Sequence, residues 1–275
     1  MQTLKPIIVT HLFPELLDKL INLLQGLTEE EWNYPTICTP WSVKEVCAHL
    51  LGGEMKNISW RRDGFSGFEE IVSFERIVQL VNEHNSRWVR STQYISPELL
   101  INLIKFTGDQ SCEFFVSVDP YKMGVPVDWI GPEPAPNWVD LAREYTERWH
   151  HQQHIRDAVD KPGLKEPKFL GPILDTFILG VPRTFQSVST NSDVVIKIST
   201  TGSVIRDWVL ISRNDKWQLL EGRVEHPSAS VSVPDDIAWR IFTKEILPED
   251  ARKQVELSGN QELAGKVLDT ISIIA

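Results

Sequence analysis

Apolar residues repeat at helical spacing through the first part of the chain and at strand spacing in the last third. Helices are predicted at residues 8–26, 42–62, 73–93, 97–118 and 138–159, because apolar side chains in these segments recur three or four positions apart. Residues 169–185 are predicted to form one more helix. Ser42 and Glu45 have the spacing of a capping box, which marks the start of the second helix.

The pattern changes after residue 193. Runs rich in β-branched and apolar residues predict strands, and helical spacing then returns in two segments. The strands are expected at residues 194–199, 207–212, 217–221 and 229–233, and the helices at 234–243 and 261–271. The chain of 275 residues is therefore predicted to be an α+β protein of two domains. We place a helical bundle at residues 1–165, a connecting helix or linker at 166–190, and a small α+β domain at 191–275.

Composition and charge narrow the functional classes. With 41% hydrophobic and 24% charged residues, the chain has the composition of a folded globular protein. A net charge of −10 disfavours nucleic acid and anionic membranes as partners, and no apolar run approaches the ~20 residues of a membrane span. Three cysteines without a C-x-x-C spacing, and an N-terminus without signal-peptide features, lead us to expect a cytoplasmic protein. Nothing in the sequence indicates an oligomer, and nothing excludes one.

The predicted helix at residues 138–159 holds three of the seven histidines within five residues. Residues four apart share a helix face, so this segment offers two candidate pairs of metal ligands, Glu147 with His151 and His150 with His154. At about 100° per residue, Glu147 lies about 40° and His150 about 100° from His151, on the side away from the apolar stripe. Glu147 and His151 thus border the core and are favoured as ligands, whereas His150 is predicted to face solvent or another domain.

A zinc-type site needs at least one more ligand, and the predicted second helix supplies one. His49 borders the apolar stripe that Val43, Val46 and Leu50 form on that helix. A divalent metal site at His49, Glu147 and His151 is therefore the leading hypothesis. Two interpretations without a metal compete with it. In the first, the histidine-rich face of the helix is only a polar surface in contact with solvent. In the second, His49 is a hydrogen-bonded histidine at the edge of the core.

Two segments resemble a known family. Residues 40–50, PWSVKEVCAHL, resemble the W-S/T-V-x-x-V-x-x-H-L segment of DinB-like four-helix bundles, and in particular that of the mycothiol-dependent maleylpyruvate isomerase group. Residues 147–158 resemble the fourth helix of the same group. In that family a helix-two histidine and a helix-four pair hold the metal, so the resemblance implies His49, Glu147 and His151 as ligands.

Two further comparisons with this family matter. His154 stands where the family usually has Gln or Asp, and it is left as a fourth ligand, a group that orients Glu147, or a proton carrier, of which the last two are favoured. Residues 229–242 and 255–264 resemble a sterol-carrier-like module, and a related module follows the bundle in the isomerase group.

The resemblance implies a metal-dependent enzyme, a thiol transferase or isomerase, that activates a low-molecular-weight thiol on a small electrophilic substrate. The implied cofactor is a divalent ion, with zinc favoured over nickel or another metal, and the implied partners are the thiol and the small molecule. No catalytic residue beyond the metal ligands is identified. The alternatives are a metal-dependent hydrolase and a non-catalytic protein that binds a small molecule or lipid. Candidates for holding substrate carboxylates are Arg61, Arg62, Arg156, Arg206, Arg223 and Arg240.

Overall fold

A computed structural model describes residues 1–65, 74–190, 193–213 and 216–273. The chain divides into two compact units. The bundle unit contains Ile8–Lys122 and Arg143–Leu164, and the sheet unit contains Met1–Ile7, Met123–Ala142 and Lys165–Ile273. The boundaries predicted at residues 165 and 190 stay predictions, because this division describes compactness and not independent folding.

Within the described residues, five α-helices belong wholly or partly to the bundle unit. They are α1 (Phe13–Gln25), α2 (Val43–Lys56), α3 (Phe74–Ser91), α4 (Pro97–Ser117) and α5 (Asn137–Ala158). The helix predicted at residues 42–62 is α-helical only to Lys56 and continues as a π-helical segment over Asn57–Arg62. Ser73, where the third helix was expected to begin, lies outside the described residues.

Local signals explain where the helices of the bundle begin. Ser42 and Glu45 form the predicted capping box, in which the Ser42 amide donates to Glu45 Oε2 at 2.8 Å. Ser96 caps α4 by accepting a hydrogen bond from the Leu99 amide, and Pro97 occupies the first turn, where its missing N–H has no cost. α4 packs against α1 and α2, and α3 packs against α2. The bundle core contains Leu17, Leu20, Leu24, Val43, Val46, Leu50, Leu51, Leu100, Ile104, Ile155 and Val159.

A six-stranded sheet in the order β1-β4-β3-β2-β5-β6 organises the other unit. Its strands are β1 (Gln2–Thr3), β2 (Val194–Thr201), β3 (Arg206–Arg213), β4 (Lys216–Glu221), β5 (Ala229–Pro234) and β6 (Glu256–Gly259). β2 pairs in parallel with β5, and the other neighbours pair antiparallel. Buried and partly exposed residues alternate along β2, as expected for a strand with one face in the core.

The helices of the sheet unit are α6 (Pro167–Phe177), α7 (Val181–Thr184), α8 (Asp235–Phe242), α9 (Pro248–Ala251) and α10 (Gln261–Lys266). The single helix predicted at residues 169–185 is instead divided, because a 3-10 turn at Ile178–Gly180 separates α6 from α7. The sequence did not predict the short elements β1, β6 and α9. The two-part α+β fold class is confirmed. No helix within the described residues is long and apolar enough to cross a membrane.

Candidate metal centre

The structure brings together the three residues that the sequence nominated as metal ligands. Nε2 of His49 on α2 lies 3.1 Å from Oε1 of Glu147 on α5, and Nε2 of His151 lies 3.3 Å from the same oxygen. The three ligand atoms all lie within 4.8 Å of one another. In a tetrahedral zinc site with bonds of about 2.0–2.1 Å, neighbouring ligand atoms are about 3.3–3.4 Å apart. The two measured distances match that separation.

Neighbouring contacts fix the position of His49. The Trp88 indole N–H on α3 donates to the carbonyl of Ala48 at 2.6 Å, which anchors α2 one residue before His49. The Trp41 ring lies 5.2 Å from the His49 ring, and the His151 ring meets it edge-on at 4.7 Å. The side chains of His49 and His151 are only 12% and 11% exposed, whereas that of Glu147 is 36% exposed. The cluster is therefore open to solvent mainly at its carboxylate.

The pKa values of Glu147 and His151 are both shifted toward the forms that bind a metal. Burial lowers the pKa of His151 to about 4, against the opposing attraction of Glu147. Burial would raise the pKa of Glu147, but attraction to His151, together with hydrogen bonds to His151 and His49, holds it well below its usual value. At neutral pH the cluster thus presents a neutral imidazole and an ionised carboxylate. Such donors, with two nitrogens and one oxygen, fit zinc or another borderline divalent ion.

A cysteine that the sequence analysis did not nominate lies next to this cluster. Cys38 Sγ is 2.9 Å from Nδ1 of His154 and 3.8 Å from Nδ1 of His151. The loop before α2 carries Cys38, and more than 100 residues separate it from the histidines along the chain (sequence separations 113 and 116). No local spacing could have indicated this contact. His154 therefore faces a thiol, and His151 presents its two ring nitrogens to different clusters.

His150 does not face solvent, so that part of the expectation is wrong. His150 is 3% exposed, and its Nδ1–H donates to the carbonyl of Thr146 at 2.7 Å. The helical wheel failed because α5 is buried on more than its apolar stripe. Trp149 donates to the Leu164 carbonyl, and the side-chain oxygen of Gln153 accepts from the Leu164 amide, so the segment after the helix covers a second face.

A buried network of charges forms a second connection between α2 and α5. Arg148 binds Glu54 through two hydrogen bonds of 2.7 and 2.9 Å, and it binds the Glu144 carboxylate at 2.6 Å. Burial would raise the pKa of Glu144, but Arg143, Arg148 and Arg61 hold it well below its ordinary value. Because Arg148 follows Glu147 directly, this network helps to set the position of Glu147 opposite His49.

Internal contacts already engage each arginine that was considered for substrate carboxylates. In the sheet unit, Arg206 binds Asp175, Arg223 binds Asp207, and Arg240 binds Glu245. In the bundle unit, Arg61 contacts Asn57 and Glu144, Arg62 pairs with Asp63, and Arg156 donates to the carbonyls of Pro162 and Lys19. A substrate carboxylate would have to compete with these partners.

Two of the three thiols are expected to resist alkylation. Burial raises the pKa of Cys112 to about 12 and raises that of Cys47 further. At pH 8 the thiolate fraction of Cys112 should be about 1000-fold lower than that of an unperturbed thiol, since each pKa unit is a factor of ten. We expect iodoacetamide to label Cys112 and Cys47 very slowly in the folded protein and rapidly in urea, as measured by mass spectrometry. Equal labelling rates in both states would contradict the pKa shifts.

The fold and the cluster define a class of protein, a helical bundle with a candidate His/Glu/His centre joined to an α+β unit. Residues 13–57 match the family described as "Mycothiol maleylpyruvate isomerase N-terminal domain". This match confirms the resemblance inferred from residues 40–50. No curated protein is similar enough in sequence to be recognised as a relative.

Two solved structures of the isomerase share the fold. A crystal structure of the mycothiol-dependent maleylpyruvate isomerase matches with a TM-score of 0.55 at 12% identity, over 94% of this chain and 96% of that one. A mutant of that isomerase matches with a TM-score of 0.56, with the same identity and coverage. Sterol carrier protein 2 like 2 from Aedes aegypti covers 36% of this chain and 96% of its own, at 24% identity and a TM-score of 0.29.

Proposed function

We propose that this protein is a metal-dependent enzyme that activates a low-molecular-weight thiol, such as mycothiol, for reaction with a small electrophilic substrate. One observation carries the proposal. His49, Glu147 and His151 place three ligand atoms within 4.8 Å of one another, in a bundle whose residues 13–57 match the isomerase's N-terminal domain family. We propose these three residues as the ligands of a divalent ion, with zinc as the favoured metal.

A divalent ion held by His49, Glu147 and His151 would lower the pKa of a thiol that reached it, and a nucleophilic thiolate would then be available at neutral pH. Two residues of the cluster have protonation states that suit metal binding. His151 is neutral because burial lowers its pKa, and the ionised Glu147 offsets part of the charge of the ion. The partial exposure of Glu147 leaves a route for a small thiol to enter the cluster.

One apolar cavity of the sheet unit is too small to hold a lipid. The cavity lies among Ile198, Trp208, Val233, Ile241 and Phe242, on the helix-covered face of the sheet. Its interior of about 10 Å³ has room for no more than one water molecule. A drug-sized ligand occupies a site of roughly 300–1,000 Å³. Metal-assisted hydrolysis would use the same three ligands as thiol activation. A measurement of direct thiol binding is therefore needed to distinguish these two functions.

Cobalt substitution tests the thiol function. We expect the cobalt-loaded Cys38→Ser protein to develop a sulfur-to-cobalt charge-transfer absorption with at least one of mycothiol, bacillithiol and glutathione. The serine variant is used so that the sulfur of Cys38 cannot produce the same signal. The thiol that binds should also support turnover of maleylpyruvate or a related electrophile by the full-length protein.

The matched control for this experiment is the Cys38→Ser/His49→Ala protein, which lacks one proposed ligand and should show no thiol-dependent band. Cobalt binding without a band for any of the three thiols would exclude thiol activation and favour hydrolysis. A failure of the Cys38→Ser protein to bind cobalt at all would overturn the metal site itself.

A further inference from the structure

We propose that Cys38, His154 and Nδ1 of His151 form a second metal site, which takes a thiophilic divalent ion of the zinc class. Sγ of Cys38 and one ring nitrogen each of His151 and His154 all lie within 4.8 Å of one another. The sulfur is 2.9 Å from Nδ1 of His154 and 3.8 Å from Nδ1 of His151. Zinc bonds of about 2.3 Å to sulfur and 2.0–2.1 Å to nitrogen separate these atoms by about 3.6 Å in a tetrahedron. The measured distances lie on either side of that value.

The donors of this site differ from those of the first cluster. One sulfur and two nitrogens form a softer ligand set than the two nitrogens and one carboxylate oxygen of His49, Glu147 and His151. Thiolate ligands select zinc, cadmium and other thiophilic ions over hard ions such as magnesium. Binding breaks the S–H bond of Cys38, forms a sulfur–metal bond and releases one proton to solvent. The site therefore needs no oxidant or further reactant.

The loop before α2 holds the sulfur in place. The Cys38 amide donates to Oγ1 of Thr36 at 3.2 Å, and the Cys38 carbonyl accepts from the Trp41 amide at 2.9 Å. The Thr36 amide and hydroxyl both donate to the Trp41 carbonyl. The Cys38 backbone is thus held on both sides. His154 and His151 are buried, while Cys38 is half-buried, so an ion can reach the sulfur from solvent.

His151 couples the two sites because it belongs to both. Its Nε2 lies 3.3 Å from Glu147, and its Nδ1 faces Cys38. A neutral imidazole has one nitrogen lone pair available to a metal, and the other nitrogen carries a proton. An ion at either site therefore favours one tautomer of His151 and weakens binding at the other site. The effect is reciprocal, as any coupling between two binding equilibria must be.

Cobalt without any added thiol tests the second site. The His49→Ala protein should bind about one cobalt ion with a sulfur-to-cobalt charge-transfer band, because its Cys38 site is intact. The Cys38→Ser protein should lose that band, whereas the matched Cys112→Ser protein, changed at a half-buried cysteine of α4, should keep it. The proposal is overturned if the band survives in Cys38→Ser, or if the His49→Ala protein, still helical by circular dichroism, shows no band.

A second measurement requires no substitution. Cadmium added to the full-length protein should protect Cys38 from iodoacetamide, which mass spectrometry can measure at that residue, and a chelator should restore labelling. The same rate of Cys38 labelling with and without cadmium would overturn the second site. This result would not affect the proposed function at His49, Glu147 and His151, because thiol activation is tested in a protein that lacks the Cys38 sulfur.

Discussion

Replacing His49 with alanine in the Cys38→Ser protein is expected to lower the affinity for zinc by at least about 100-fold. Loss of a partner that only orients a ligand already costs about 10–100-fold in metal affinity, and the loss of a ligand should cost more. The remaining pair, Glu147 and His151, comes from one helix turn and cannot enclose an ion. The serine background removes the thiol, so that the measurement reports on one site. Competition titration with a zinc chelator gives the affinity.

The control for this variant is His11→Ala in the same background. His11 is an exposed histidine of the bundle unit that lies just before α1, so its loss should leave the zinc affinity unchanged. Zinc affinity that stays the same in the His49→Ala protein would remove His49 from the proposed ligand set. The helix-α5 pair would then need a different third ligand.

The second large effect is on stability. Changing Glu54 to glutamine is expected to lower the free energy of unfolding of the bundle by about 3 kcal/mol, because the loss of one partner leaves the buried Arg148 charge incompletely paired. Glu54 and Arg148 side chains are only 7% and 13% exposed, and glutamine keeps the shape of the lost side chain. Urea denaturation followed by the helical circular-dichroism signal measures the difference.

An exposed ion pair of the same unit provides the comparison. Lys105 and Asp109 on α4 lie 3.1 Å apart, with both side chains 53% exposed. Asp109→Asn should change stability by no more than about 1 kcal/mol, because water screens exposed pairs. Equal effects of Glu54→Gln and Asp109→Asn would show that the buried network contributes nothing beyond a surface pair. Such a result would also remove the argument that this network sets the position of Glu147.

Acid should weaken the same network through Glu144. The folded protein holds the pKa of this carboxyl below its unfolded value. The group therefore contributes stability that is complete above the ordinary carboxyl pKa and is lost as the pH falls through the lower folded value. The contribution of Glu144 is thus fully present at neutral pH, where the effect of Glu54→Gln is to be measured.

The sequence predicted most of the helices and strands but few of the contacts around the candidate metal site. Helical spacing located the five long helices, and the capping box at Ser42 and Glu45 marked the start of α2 correctly. β-rich runs located β2, β3, β4 and β5. These signals are local, because a helix or strand depends on neighbours only a few positions away. The short strands β1 and β6 were missed because contacts with distant strands define them.

The tertiary structure decided which side chains meet. The sequence alone indicated that Glu147 and His151 share a face of α5, since that follows from their spacing of four. It could not show that His49, 98 residues away, would lie 3.1 Å from Glu147, although the helix-face argument and the family resemblance both nominated His49 as the third ligand. Nor could it show that Cys38 would face His151 and His154, or that His150 would be buried. Those outcomes depend on the packing of whole helices and on the path of one loop, which contacts across the entire bundle determine together.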